Sequence, residues 1–201
     1  MTDSFVILTG SKNNAGDFLI KYRAQKIFEA IRPDRKIIDF NGWESIDNVK
    51  LEVINNSKAL ILMGGPALQK NMVPDIYALP DDLDQIRVPI VTMGIGWKSV
   101  QGDWFDTYNY SLSERTIKLL ERINTDGLSS SVRDFHTLNA LMFKGFDNYL
   151  MTGCPAYYDL ASVNTEFSLP ENIKKVAYSL GVSFVHSNSM DQLMKSQILS
   201  F

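Results

Sequence analysis

Six short apolar runs constrain this chain more than any other feature of its sequence. They are FVILT (5–9), KIIDF (36–40), ALILM (59–63), PIVTMG (89–94), LSSSV (128–132) and NYLMT (148–152). The first is continuously apolar and closed by Gly10, the pattern of a strand buried on both faces, and the others read as strands beside it. Helical stretches lie between them. Residues 17–31 repeat Ile20, Ala24, Ile27 and Ile31 on one face, with Pro33 just past the end. A polar helix is expected over 45–57. Ser111 and Glu114 have capping-box spacing ahead of a helix reaching Ile123, and a further helix is expected over 135–143. Strands alternating with helices predict an α/β domain with a mainly parallel sheet of six or seven strands. Right-handed crossovers place helices on both of its faces.

The pattern weakens after residue 160. Residues 161–172 (ASVNTEFSLPEN) read as a linker, and 173–201 as the start of a second domain or a stub packing on the first. That last piece contains a strand beginning at KVAYSLGVSF (175–184) and a helix over 189–199. One cysteine excludes an intrachain disulfide, and with only two histidines a structural zinc site is not expected. The net charge of −3 gives no basic footprint for nucleic acid. No apolar run approaches the roughly 18 residues of a membrane span. MTDSFVILTGSKNN lacks the basic region of a signal peptide, so a cytoplasmic location is expected.

Ligands of open parallel sheets bind at the carboxyl ends of the strands, and four such ends carry unusual loops. GSKNNAGD (10–17) precedes a helix N-terminus, which favours anions, but it fits neither the dinucleotide nor the P-loop spacing. Asn14 or Asp17 caps the helix, contacts a ligand, or does both. MGGPALQ (63–69) reads either as a tight turn needing positive φ or as part of the ligand edge, with Gly64 and Gly65 as candidates. MGIGWKSVQGDW (93–104) is long and aromatic. Trp97 and Trp104 are candidates for a sugar-stacking surface or for anchors onto the core. The fourth is Arg133-Asp134. There Asp134 reads as a helix cap, while Arg133 stands where a planar fork can grip a carboxylate or phosphate. His136 and Cys154 read as structural rather than reactive.

Together these loops resemble the polysaccharide pyruvyl transferase family. The resemblance rests on NAGD (14–17), GGP (64–66), GIG (94–96), SVRD (131–134) and TGCPA (152–156), in this order and at successive strand ends. It covers roughly residues 5–160. It implies a Rossmann-like N-terminal domain over 1–160, similar to the first half of a two-domain glycosyltransferase of the GT-B type. The implied activity is transfer of the enolpyruvyl unit of phosphoenolpyruvate to hydroxyls of a surface polysaccharide or its precursor. The implied partners are phosphoenolpyruvate and a sugar or lipid-linked saccharide, with peripheral membrane contact and no further cofactor or metal. Two departures stand out. GGP lacks a third glycine found in many relatives, and the second domain, expected to supply donor-binding cations and a catalytic histidine, is almost wholly missing.

On this resemblance Arg133 and Asp17 are the candidate catalytic residues. Arg133 serves the donor anion, and Asp17 binds acceptor hydroxyls or assists as a base. Asn14, Gly16, Gly64, Gly65, Gly94, Gly96, Trp97, Arg133 and Asp134 are the candidate substrate-binding residues. Two other readings of the residues stay open. One is a glycosyltransferase domain using a nucleotide sugar, and the other is a non-catalytic carbohydrate-binding module.

Overall fold

Ser4–Thr9 forms β1 and Lys36–Asn41 forms β2, joined by helix α1 over Ala15–Ile31. Helix α2 (Asn48–Asn55) then leads to β3 (Leu60–Leu68). After β4 (Ile90–Trp97) come helices α3 (Trp104–Asn109) and α4 (Glu114–Thr125). The sequence of elements ends with β5 (Ser130–Val132), α5 (Phe135–Phe143) and β6 (Tyr149–Met151). All pairings are parallel, in the order β2-β1-β3-β4-β5-β6. The six-stranded, Rossmann-like α/β arrangement expected from the sequence is therefore present. This computed structural model describes residues 3–10, 13–98, 104–169 and 171–175, together with 192, 193, 195, 196 and 199. The chain divides into two units, Met1–Val163 and Asn164–Phe201.

Helix placement follows from handedness. The step from β1 to β2 runs one way across the sheet, and every later crossover runs the other. Right-handed connections therefore put α1 on one face and the remaining helices on the opposite one. Ile20 and Ala24 of α1 pack against Ile7, Ile61 and Met63. On the other face Ile54 of α2, Leu119 and Ile123 of α4, and Leu141 of α5 pack in a cluster with Val6, Leu8, Leu60, Leu62 and Ile90. Residues facing each side alternate along β1 and β3, as the two-residue strand period requires.

Three expectations need correction. Strands β3 and β4 do not end at their glycines, since pairing continues to Leu68 and Trp97 with a register shift between Gly65 and Leu68. The glycines persist in the strands because the two backbones approach closely. A Cβ on Gly64 would stand 2.7 Å from the Gly94 carbonyl oxygen. The N-cap of α4 is Ser113 rather than Ser111, accepting from the Thr116 amide at 3.4 Å. Glu114 is thus the first helical residue and pairs forward with Lys118 at 2.9 Å. The polar helix expected over 45–57 is shorter, because the Asp47 side chain accepts from the Lys50 amide and starts it there.

In the second unit, 164–169 and 171–175 form turns, bends and irregular chain, and the described residues from 192 onward are helical. The strand expected within 175–184 (apart from Lys175) lies outside the described residues, as do loop residues 11–12 and 99–103. Among the described residues no helix is long and apolar enough to cross a membrane.

Candidate functional site

Because every strand is parallel, the carboxyl ends share one edge of the sheet. Gly10 follows β1, Gly64 and Gly65 lie in β3, Gly94 and Gly96 in β4, and Arg133 follows β5. The strand order reverses between β1 and β3, the place where open α/β sheets form their ligand crevice. Pairing of these two strands stops at Leu8 and Leu62, while both chains run on. A cavity of ≈ 180 Å³ lies beyond the split, lined by Asn14, Asp17, Gly64, Gly65, Pro66 and Ile76 among others.

The capping role that the sequence left open between Asn14 and Asp17 falls to Asn14. Asn14 is the N-cap of α1, its Oδ1 accepting from the Gly16 amide at 2.8 Å. A Cβ on Gly16 would come 3.1 Å from that same oxygen, so glycine leaves the cap room. Asp17, one residue later, is buried, and its carboxylate lies against Gly65. A side chain at Gly65 would put its Cβ 2.5 Å from Asp17 Oδ1, and φ there is +87°. Both facts call for glycine. Burial, and secondly the Asp17 charge, push the hydroxyl pKa of the neighbouring Tyr77 well above its ordinary value.

The TGCPA segment closes the α1 face of the same edge. Gly94 has φ +65°, and a Cβ there would collide with the Pro155 ring and approach the Gly153 carbonyl oxygen at 3.0 Å. An ion pair of 2.5 Å between Arg23 and Asp159 ties the segment after TGCPA to α1. Cys154 is half-buried beside the cluster of Ile20 and Met63, in keeping with a small structural residue.

Arg133 and Asp134 form a second locus, over β4 and β5. The Arg133 amide donates to the Ile95 carbonyl at 2.9 Å, which fixes the backbone where β5 ends. Its guanidinium lies directly against the Gly96 backbone, occupying the space a Cβ at Gly96 would take. Among the described residues, its charged neighbour is Asp134 Oδ2 at 3.6 Å, and a third of the arginine side chain is exposed. At that distance the contact is an ion pair rather than a hydrogen bond, which leaves the guanidinium chemically able to bind an anion. Asp134 Oδ1 meanwhile caps α5, accepting from the Thr137 amide at 2.7 Å and the Thr137 hydroxyl at 2.8 Å. One carboxylate thus caps the helix and stands beside the cation.

The structure brings Asn14, Gly16, Asp17, Gly64 and Gly65 together at the switch point, and Gly96, Arg133 and Asp134 at the neighbouring locus. Gly65 pairs with Ile95 across β3 and β4, so the two loci sit on adjacent strands. Trp97 is corrected from stacking surface to anchor. It is 8% exposed, belongs to the core and meets Tyr110 edge-on at 5.2 Å. Its amide donates to the Thr137 hydroxyl at 2.9 Å. Thr137 itself is fully buried and was not singled out in the sequence. Its position three residues after a capping Asp was the available signal. Tyr77, also missed, sits in an irregular segment where no spacing marks it.

A family model described as polysaccharide pyruvyl transferase matches residues 14–197, most of the chain. No curated protein and no solved structure matches it.

Proposed function

Because the chain belongs to the polysaccharide pyruvyl transferase family, we propose that it serves transfer of the enolpyruvyl unit of phosphoenolpyruvate to a sugar of a surface polysaccharide or its precursor. The observation that carries this reading is the pairing of a buried carboxylate, Asp17, with an available guanidinium, Arg133, on adjacent strand ends of one sheet edge.

The chemistry needs three things. The methylene carbon of phosphoenolpyruvate must take a proton, which leaves cationic character at the central carbon. A sugar hydroxyl must attack that carbon and give up its proton to a base. The carbon–oxygen bond to phosphate must then break, releasing inorganic phosphate as a second hydroxyl of the sugar closes the ketal and loses its own proton. In this reading Asp17 orients the attacking hydroxyl and takes its proton. The planar fork of Arg133 holds the carboxylate or phosphate of the donor and stabilises the leaving anion. Asp134 steadies Arg133 without engaging it fully. Protonation of the methylene and further cations for the donor fall to the second Rossmann-like domain that the family resemblance implies.

The test uses the full-length protein with phosphoenolpyruvate labelled at its central carbon and a saccharide acceptor. The label is expected in the saccharide, with one phosphate released per ketal and neither product formed without acceptor. Intact phosphoenolpyruvate beside consumption of a nucleotide sugar would favour a glycosyltransferase instead.

A further inference from the structure

Among the described residues Tyr77 is the largest fully buried side chain, and no step of the proposed transfer uses it. It comes after an irregular turn over Met72–Ile76 rather than a regular helix. The Ala78 amide donates to the Gly42 carbonyl at 2.7 Å, so this segment runs back beneath the ends of β1 and β2. Gly42 makes room for it, and Gly10 lies alongside at ordinary contact distance. A Cβ on Gly42 would stand 3.0 Å from Tyr77 Cδ1, and one on Gly10 would stand 3.6 Å from Cε1. The Tyr77 hydroxyl donates to the Met63 carbonyl at 2.5 Å. That carbonyl lies one residue beyond Leu62, the last residue of β3 paired with β1. Tyr77 therefore reaches the place where the two strands part and supplies a donor that β1 no longer offers.

Directly after Met63 the chain forms the Gly64–Gly65 wall of the cavity, against which the Asp17 carboxylate rests. We propose that Tyr77 is a positioning residue. By pinning the Met63 carbonyl at the split between β1 and β3, it sets the Gly64–Gly65 wall and, through that wall, the orientation of Asp17 toward the acceptor hydroxyl. The inference rests on the acceptor-binding role proposed for Asp17. The Asp17 charge is felt at the tyrosine hydroxyl, in keeping with their closeness. A buried polar group of this kind contributes through its geometry, because an unmet carbonyl at the crevice floor must find another partner or shift.

The test is Tyr77→Phe, which keeps the ring between Gly10 and Gly42 and removes only the donor. Two readouts are taken. In the chain itself, carbon-detected NMR tracks the Asp17 carboxyl through its titration, together with the amide signals of Gly64 and Gly65. In activity assays of the full-length protein, acceptor KM, phosphoenolpyruvate KM and kcat are measured separately. The expected result is a displaced Asp17 titration, moved Gly64 and Gly65 signals, and acceptor KM raised about tenfold with phosphoenolpyruvate KM unchanged. Gly42→Ala, which presses on the same ring, is expected to move the same signals in the NMR arm. A lowered melting temperature with the Asp17 titration and glycine signals unmoved would show that Tyr77 merely fills the core and would overturn the proposal. If the wild-type protein transfers nothing, the functional reading fails, while the NMR arm still decides whether Tyr77 positions Asp17.

Discussion

Arg133→Ala is expected to lower kcat/KM of the full-length protein for the proposed transfer by about 30-fold to 5000-fold, corresponding to about 2–5 kcal/mol of transition-state binding for a desolvated, charge-assisted contact. The loss should come with little change in stability, within about 0.5 kcal/mol. Among the described residues the guanidinium rests on the Gly96 backbone and has a 3.6 Å ion pair, so its removal breaks no short hydrogen bond of the described fold. Arg133→Lys is expected to recover part of the activity, because it keeps the charge but loses the planar two-point grip. Asp134→Ala should behave differently. It removes the cap of α5 and both contacts to Thr137, at a cost of about 1 kcal/mol in stability. Steady-state kinetics beside denaturant unfolding separates the three variants. If Arg133→Ala stays within twofold of wild type, the anion-binding role of SVRD is wrong and only the helix cap is left.

Gly94→Ala is expected to produce the largest stability loss of any single methyl addition at the sheet edge. Its backbone has φ +65°, which a residue with a Cβ reaches at a cost of roughly 1–2 kcal/mol. The added carbon would also meet the Pro155 ring and the Gly153 carbonyl, and neither can turn aside as a flexible side chain would. Overpacking of this kind typically costs a further 1–3 kcal/mol or so. The sum, roughly 2–5 kcal/mol, should appear as a lower urea midpoint with an unchanged slope. Gly127→Ala provides the control. It also has positive φ, +74°, but a Cβ there meets nothing within 4 Å, so it should show the backbone cost alone. Equal losses at the two positions would mean that TGCPA does not pack on Gly94 in solution.

The sheet was legible because a parallel strand covered on both faces must be apolar throughout, and ALILM and PIVTMG say so directly. Handedness was legible in principle but not in detail. That α1 packs on the face opposite α2, α4 and α5 depends on strand order, which no local pattern records. The strand ends were misplaced for a reason that also marks the site. A glycine pair reads as a turn, yet Gly64 and Gly65 continue β3 because β4 and the Asp17 carboxylate come too close for side chains. Asn14 and Asp17 were equivalent as caps until the backbone gave the capping role to Asn14 and left Asp17 to line the cavity. Trp97 was ambiguous because an aromatic in a glycine-rich loop turns inward or outward with equal ease, and here Tyr110 and Thr137 hold it inward. Tyr77 left no trace, since its importance lies in one carbonyl that another strand fails to reach.

On the proposed function, one sheet edge carries two distinct loci, an anion locus at Arg133 and a hydroxyl locus at Asp17. This arrangement is tested most directly by NMR titration of the nitrogen-labelled chain with each ligand in turn. Phosphoenolpyruvate is predicted to move the Arg133 Nε and Gly96 amide signals while leaving Gly65 in place. A methyl glycoside bearing neighbouring free hydroxyls is predicted to move Gly65 and Gly16 while leaving Arg133 in place. Both ligands moving the same signals, or phosphoenolpyruvate leaving Arg133 and Gly96 unmoved at saturation, would contradict the account.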